Sequence, residues 1–274
     1  MRKSFALIAA RAAATAAALA ALAMPMSAQA HRAWLAPTST VLSGGDAWVG
    51  FDGGMSNGVF IPDHAAMNLD GLTIIAPDGS NAQAENINRA RYRSSFDLHL
   101  TQQGTYRVAN VMGGLLVSYK ENGEQRRWRG TEEAMAAAIP ADATDVSITR
   151  NNNRIETWVT LGEITTTALA PTNQGLELVP VSHPNDLVSG EAATFKLILN
   201  GQPAADLEVT VARGGTRYRD NPEEITVRTN AEGAFTVTWP EPGLYWLNAA
   251  VRTPAQGDQY AANAQYVGVV EVLP

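Results

Sequence analysis

Cysteine is absent from the 274 residues. Its absence excludes disulfides, thiolate metal sites and cysteine nucleophiles. Charge is sparse, at 17 % of residues, and leans acidic, with 20 Lys and Arg against 27 Asp and Glu. Setting aside Arg2, Lys3 and Arg11 of the first 30 residues leaves 17 basic and 27 acidic side chains, a net charge of −10. A nucleic-acid binder needs clustered positive charge to release counterions, so that class is excluded as a partner. There is no phosphate loop, dinucleotide fingerprint or H-E-x-x-H string, and histidine occurs only four times, at His31, His64, His99 and His183. What is present is an apolar fraction of 45 %, enough to bury a core and to exclude wholesale disorder.

The first thirty residues have the layout of a secretory signal peptide. Arg2 and Lys3 supply the positive start, Ala12 to Ala23 the apolar stretch, Pro25 its end, and Ala28-Gln29-Ala30 the small-x-small cleavage signal. The apolar stretch is too short for a membrane span, which needs roughly 20 residues, and no later run replaces it. The expectation is a periplasmic or secreted protein with no membrane span in its mature chain. Cleavage after Ala30 makes His31 the first residue. An N-terminal histidine offers a metal two nitrogens, its α-amine and its imidazole Nδ1, in one chelate ring. The α-amine pKa of about 7.7 lets a metal displace its proton at neutral pH. One residue further inside the chain that nitrogen would be an amide, a poor ligand.

From Trp34 onward the pattern is all-β. Short apolar or alternating runs include Ala47 to Phe51, Leu72 to Ala76, Ser95 to Leu100, Thr105 to Ala109, Leu115 to Lys120 and Glu124 to Arg129. Pro77-Asp78-Gly79-Ser80 and Asn122-Gly123 carry turn chemistry, the latter a strong hairpin signal. Thr131 to Ala138 is the one helical stretch, with Thr131 as cap and Glu132 and Glu133 at its positive end. Asp145 to Ile148 and Thr157 to Leu161 read as strands around a turn at Asn151-Asn152-Asn153. Ala170-Pro171-Thr172-Asn173-Gln174-Gly175 is non-periodic and places a boundary there. Seven further strands follow, with turns every 8–12 residues or so, the spacing of a sandwich. The expected architecture is two β-sandwich domains, 31–170 with one short helix and 175–274 immunoglobulin-like or carboxypeptidase-regulatory-like. Trp239 and Trp246 are expected to be packed in the second.

Chemistry concentrates on the histidines. In Phe96-Asp97-Leu98-His99-Leu100 the apolar residues take one strand face, so Asp97 and His99 share the other. Two residues apart, about 6.6 Å by strand rise, they form a two-ligand half-site. His64 follows Asp63 in a loop, where ligands are readily supplied, and Asp63 is placed to orient its ring. His183, in Ser182-His183-Pro184, reads as a strand-end turn and not as a ligand. The expected metal set is therefore His31, His64, His99 and Asp97. Nitrogen ligation with a carboxylate suits Cu(II) or Ni(II). Gly54-Met55-Ser56-Asn57-Gly58 matches the G-x-S-x-G hydrolase string, but no helix can start at Val59-Phe60-Ile61-Pro62, so it reads as a turn. Arg126-Arg127-Trp128-Arg129 reads as a charged hairpin edge.

His31-Arg32-Ala33-Trp34-Leu35, Leu69-Asp70-Gly71-Leu72, Ala76-Pro77-Asp78-Gly79, Gly104-Thr105-Tyr106-Arg107-Val108, Ser118 to Gly123, Leu176 to Pro180 and His183 to Leu187 resemble a family of exported bacterial proteins. The family is a domain of unknown function labelled as a periplasmic component of nickel or cobalt uptake, and the resemblance runs over nearly all of 31–274. It implies periplasmic location and a link to Ni(II) or Co(II); on the metal-binding reading the expected partner is a transporter or outer-membrane receptor. His31 with Asp97-x-His99 looks like the Cu(II) site of CopC copper-binding proteins. His31 with a second histidine looks like the histidine brace of copper polysaccharide monooxygenases. Thr229 to Phe235 and Trp239 to Trp246 resemble carboxypeptidase-regulatory-like sandwich modules, which implies a spacer or docking role for the second half. Three functions stay open on the residues alone: a metal-binding uptake accessory or chaperone, a copper-dependent oxidase, and a structural or adhesion-type module without metal.

Overall fold

The longest buried run among the described residues is Arg154 to Leu161, the last eight residues of an eighteen-residue strand. A strand buried residue after residue must be covered on both faces, and this one is. The computed structural model describes residues 31–274; the expected signal peptide, 1–30, lies outside the described residues. Nineteen strands are present among them, in three sheets. The first sheet has the order β1 (Arg32–Pro37), β3 (Ala47–Ser56), β8 (Ser94–Leu100), β7 (Glu85–Arg89), with β4 (Ala65–Ala66) also paired to β3. The second runs β16 (Ile225–Arg228), β15 (Glu208–Arg213), β18 (Gly243–Thr253), β19 (Ala261–Val272), β11 (Thr144–Leu161), β9 (Gly104–Glu121), β5 (Leu72–Ile75), β6 (Asn81–Ala82). To it are added β10 (Glu124–Gly130) on β9 and β2 (Val41–Leu42) on β11. The third is β12 (Leu176–Pro180), β13 (Ala192–Leu199), β14 (Gln202–Pro203), with β17 (Ala234–Thr238) on β13.

The second sheet is the middle layer of two sandwiches. Neighbouring residues along its strands enter different cores: Val159, Val267, Val269, Ala212 and Trp246 meet Trp34, Leu35, Val49, Phe51, Phe96 and Leu98 of the first sheet. Trp158, Tyr266, Val270, Val211 and Tyr245 meet Leu178, Phe195, Leu197, Phe235 and Val237 of the third. The all-β sandwich expectation is therefore met, and Trp239 and Trp246 are both buried, Trp239 in the core under the third sheet and Trp246 in the core under the first. Each large apolar side chain so covered contributes roughly 1.5–3 kcal/mol. The segment expected to divide the halves carries the chain from the middle sheet to the third. It is tied down by Glu177, whose carboxylate accepts from Thr172 N at 3.0 Å, Thr172 Oγ1 at 2.8 Å and Gln174 N at 3.2 Å. Because β11 pairs in parallel with β19, Thr149–Thr157 against Ala261–Val269, both halves of the chain contribute to one sheet.

Two local expectations change. The turn expected at Asn151-Asn152-Asn153 is strand, paired with Met112, Gly113 and Gly114 of β9 and with Asn263, Ala264 and Gln265 of β19. Asn263 Nδ2 donates to Asn151 Oδ1 at 3.2 Å, so the Asn151 amide is taken up across the ladder. For the same reason the two runs Thr105 to Ala109 and Leu115 to Lys120 merge into β9. Asn122 and Gly123 do turn the chain, with φ of 51° and 82°, as a two-residue hairpin demands. The helix, α1 (Glu132–Ala138), starts where expected, with Ala134 N donating to Thr131 Oγ1 at 3.4 Å. Around it Leu115, Val117 and Tyr119 form a small third core with Trp128 and Met135.

The middle sheet also buries charge. Arg154, with 4 % of its side chain exposed, lies 3.1 Å from Glu177 and 3.5 Å from Glu156 and donates to Thr172 Oγ1 at 3.0 Å. Burial pushes the Glu156 carboxyl up, against the pull of Arg154 and Arg107. One guanidinium thus offsets two buried carboxylates across the seam between middle and third sheets. Removing one partner of a buried ion pair costs about 3–5 kcal/mol. Arg154→Met should therefore lower the urea midpoint by a corresponding amount, whereas exposed Arg129→Met should not move it. An unchanged Arg154→Met midpoint would show that the cluster is not structural.

Candidate functional site

Strand β3 is the spine of the first sheet, and three of the four histidines, His31, His64 and His99, distribute about its two ends. At its C-terminal end it runs between β1 and β4. Ala33 of β1 and Ala65 of β4 both pair with Met55. His31 immediately precedes β1 and His64 immediately precedes β4. Their imidazoles meet in a parallel stack, 3.4 Å between centroids and 12° between planes. Both residues are exposed.

The loop that brings His64 back is built from its own residues. Asn57 N and Nδ2 donate to the two oxygens of Asp63, at 3.0 and 3.5 Å. Asp63 therefore braces the loop and is not the orienting partner of the His64 ring that its sequence position suggests. Phe60, at φ 60°, sets its ring edge-on to Trp34 with centroids 5.9 Å apart. Trp34 Nε1 donates to Ser56 Oγ at 2.8 Å, and Ser56 Oγ donates to Gly58 O. Ser56 is fully buried, so the G-x-S-x-G string is a strand end and turn, not an exposed nucleophile. The start of β1 is anchored from the other half of the chain. Trp246 Nε1 donates to Ala33 O at 2.8 Å, Arg32 stacks 5.0 Å above the Trp246 ring, and Arg32 pairs with Glu224. His31 thus leaves a fixed strand.

His99 and Asp97 are at the opposite end. His99 pairs with Trp48 and Asp97 with Gly50 on β3, whereas Arg32 pairs with Ser56. Eight residues of β3 separate the His99 register position from that of Arg32, about 26 Å at strand rise. The expected four-ligand set is thereby corrected: His31 and His64 come together, and His99 and Asp97 do not join them. Asp97 and His99 do share a strand face, as their spacing requires, but other partners occupy them. His99 stacks on Trp48, 4.3 Å and 3° apart, and its Nε2 contacts Asp46. Asp97 accepts from Asn86 Nδ2 at 2.8 Å. Among the described residues no group of three or more His, Cys, Asp or Glu side chains is arranged to hold a metal ion. The imidazoles available at the His31 end are those of His31 and His64.

His183 is structural. Its Nδ1 accepts from Asn185 N at 3.2 Å, and its Nε2 lies 3.1 Å from Thr165 O and from Thr105 Oγ1. A ring accepting at Nδ1 is neutral there and donates from Nε2. Burial accordingly lowers its pKa below 6.5. The folded state then binds fewer protons than the unfolded one between the two pKa values, so stability is lost as pH falls below about 6.5. A proton-detected titration should place the His183 midpoint below 6.5, and acid destabilisation in that window should shrink in His183→Asn. A midpoint above 6.5 would contradict the assigned tautomer.

The model of the family described as a domain of unknown function, DUF4198, matches residues 28–253, and the chain belongs to that family. No curated protein matches the chain. Among solved structures, the D0–D1 domain of intimin is similar at 14 % identity, covering 88 % of this chain and 97 % of its own, with a TM-score of 0.22. A DUF4785 family protein from Legionella pneumophila is 9 % identical over 78 % of this chain and 50 % of its own, with a TM-score of 0.23. An ICAM-5 D1–D4 ectodomain fragment is 12 % identical over 88 % and 51 %, with a TM-score of 0.22.

Proposed function

We propose that this DUF4198 member is an exported binder of a divalent transition metal, Cu(II) or Ni(II), which it holds at its mature N-terminus and passes to an uptake partner. The observation that supports this reading is the stacked pair His31 and His64. Signal-peptide cleavage after Ala30 frees the His31 α-amine beside that pair. The donor set is then three nitrogens, the amine, the His31 imidazole and the His64 imidazole, which suits Cu(II) and Ni(II). In the proposed complex the His31 amine and Nδ1 close one chelate ring and His64 completes a nitrogen face. Ring rotation is the movement proposed to turn the nitrogens of the stacked pair toward one ion. Both histidines are exposed, so the remaining coordination positions face solvent, an arrangement suited to taking up and releasing an ion. Co(II) and the nickel or cobalt uptake label belong to the same proposal, as does the transporter or outer-membrane receptor as recipient.

Mass spectrometry of the exported protein should find His31 as first residue. Calorimetric titration should then show one Cu(II) or Ni(II) site. Placing one alanine ahead of His31 turns the amine into an amide and should weaken binding at least about tenfold, since even partners one step removed from a metal cost that much. His64→Ala should weaken it comparably, and His99→Ala should leave it unchanged. Equal binding by the extended and native forms would refute the site.

A further inference from the structure

The same end of the first sheet carries a soft donor. Met55 is the residue of β3 flanked on both sides by the strands that bring the histidines, opposite Ala33 and Ala65. It is 36 % exposed, whereas the six residues before it, 49–54, are buried or half-buried. His31 is two residues before Ala33, so continuing the β1 ladder by one residue would put it diagonal to Met55, roughly 7–8 Å away. His64 adjoins Ala65, which places its backbone about 6 Å from that of Met55 by strand spacing and rise. The two imidazoles stack although their strands lie on opposite sides of β3, so the rings converge over the end of that strand. Met55 stands one residue back from it. A three-rotor thioether spans such a gap and adapts to it.

We propose that Met55 makes this a site for Cu(I) as well as for a divalent ion, with the thioether and the two imidazoles as its ligands. The inference rests on the N-terminal metal reading above and extends it to the monovalent ion. A thioether is a poor donor to Ni(II) or Co(II) and selects Cu(I). Gly53 and Gly54 before it pack against Met67, Leu35 and Trp34, and Ser56 after it is buried, so Met55 is the exposed side chain at this end of β3. The backbone at Met55 is regular paired strand on both edges, so its side chain can be shortened or exchanged without unpairing the sheet.

The test is anaerobic competition for Cu(I) against a chromophoric Cu(I) chelator, run on mature protein beginning at His31, alongside titration with Cu(II). Met55→Leu, which keeps the volume, should lose at least about tenfold in Cu(I) affinity and keep its Cu(II) affinity. X-ray absorption of the Cu(I) form should show a sulfur scatterer that Met55→Leu lacks. Normal Cu(II) binding with Cu(I) affinity unaffected by Met55→Leu would overturn the role of Met55 and leave the N-terminal site standing. Absence of binding by either ion would overturn the N-terminal reading itself, and the inference with it.

Discussion

The parallel pairing of β11 with β19 is the constraint on which the rest of the molecule depends. It joins residues 149–157 to 261–269, and so fuses the strands of both halves into one ten-stranded sheet. That sheet then has two faces to cover. The first sheet covers one and the third covers the other, and side chains from neighbouring positions, Trp158 and Val159 or Tyr266 and Val267, divide between the two cores. Parallel pairing requires a long crossover, and here the crossover is most of the C-terminal half. Without this pairing Trp246 would not reach β1, and the start of the mature chain would lose its anchor on Ala33.

Burial of charge follows from the same geometry. A strand covered on both faces leaves no solvent side for Arg154 and Glu156, so Arg154 pairs internally with Glu156 and Glu177 and donates to Thr172. The adjoining hydroxyl and imidazole network of Thr105, Thr160, Asn185 and His183 is closed in the same way, with Thr160 Oγ1 donating to Asn185 Oδ1 at 2.9 Å and Thr105 Oγ1 3.1 Å from His183 Nε2. His183 is occupied by this structural work, as its His-Pro context suggests.

Local pattern carried much of the fold. The alternation of Ser95 to Leu100, the Asn122-Gly123 turn and the Thr131 cap are all decided within a few residues, and each appears where its chemistry puts it. The three asparagines at 151–153 misled because turn preference is a local property, while pairing on two edges is not. Sharing of the middle sheet is likewise non-local, although the largely apolar runs Trp158 to Leu161 and Val267 to Val270 are its trace in the sequence. At the site, Asp97 and His99 were legible as sharing a face, but strand register decides which end of the sheet that face occupies, and register is set by pairing. His64 reaches His31 through a two-residue strand, Ala65–Ala66, too short to be read from pattern. Met55 was visible only as part of a turn-like glycine string; an isolated methionine between glycine and serine in a strand was the signal available.

A metal site at the mature N-terminus needs two things that the fold supplies separately: a first strand held in place, and a second imidazole delivered over the edge of its neighbour. Trp246, Arg32 and Glu224 provide the first. Asp63, Phe60 and Trp34 shape the loop that provides the second. Neither requires the opposite end of the sheet, where His99 is engaged by Trp48 and Asp46. The most direct measurement is an anomalous difference map from crystals of the mature, copper-loaded protein collected at the copper edge. The account predicts a single peak between His31 and His64, within bonding distance of the His31 amine; a peak at Trp48 and His99, or none near His31, would contradict it.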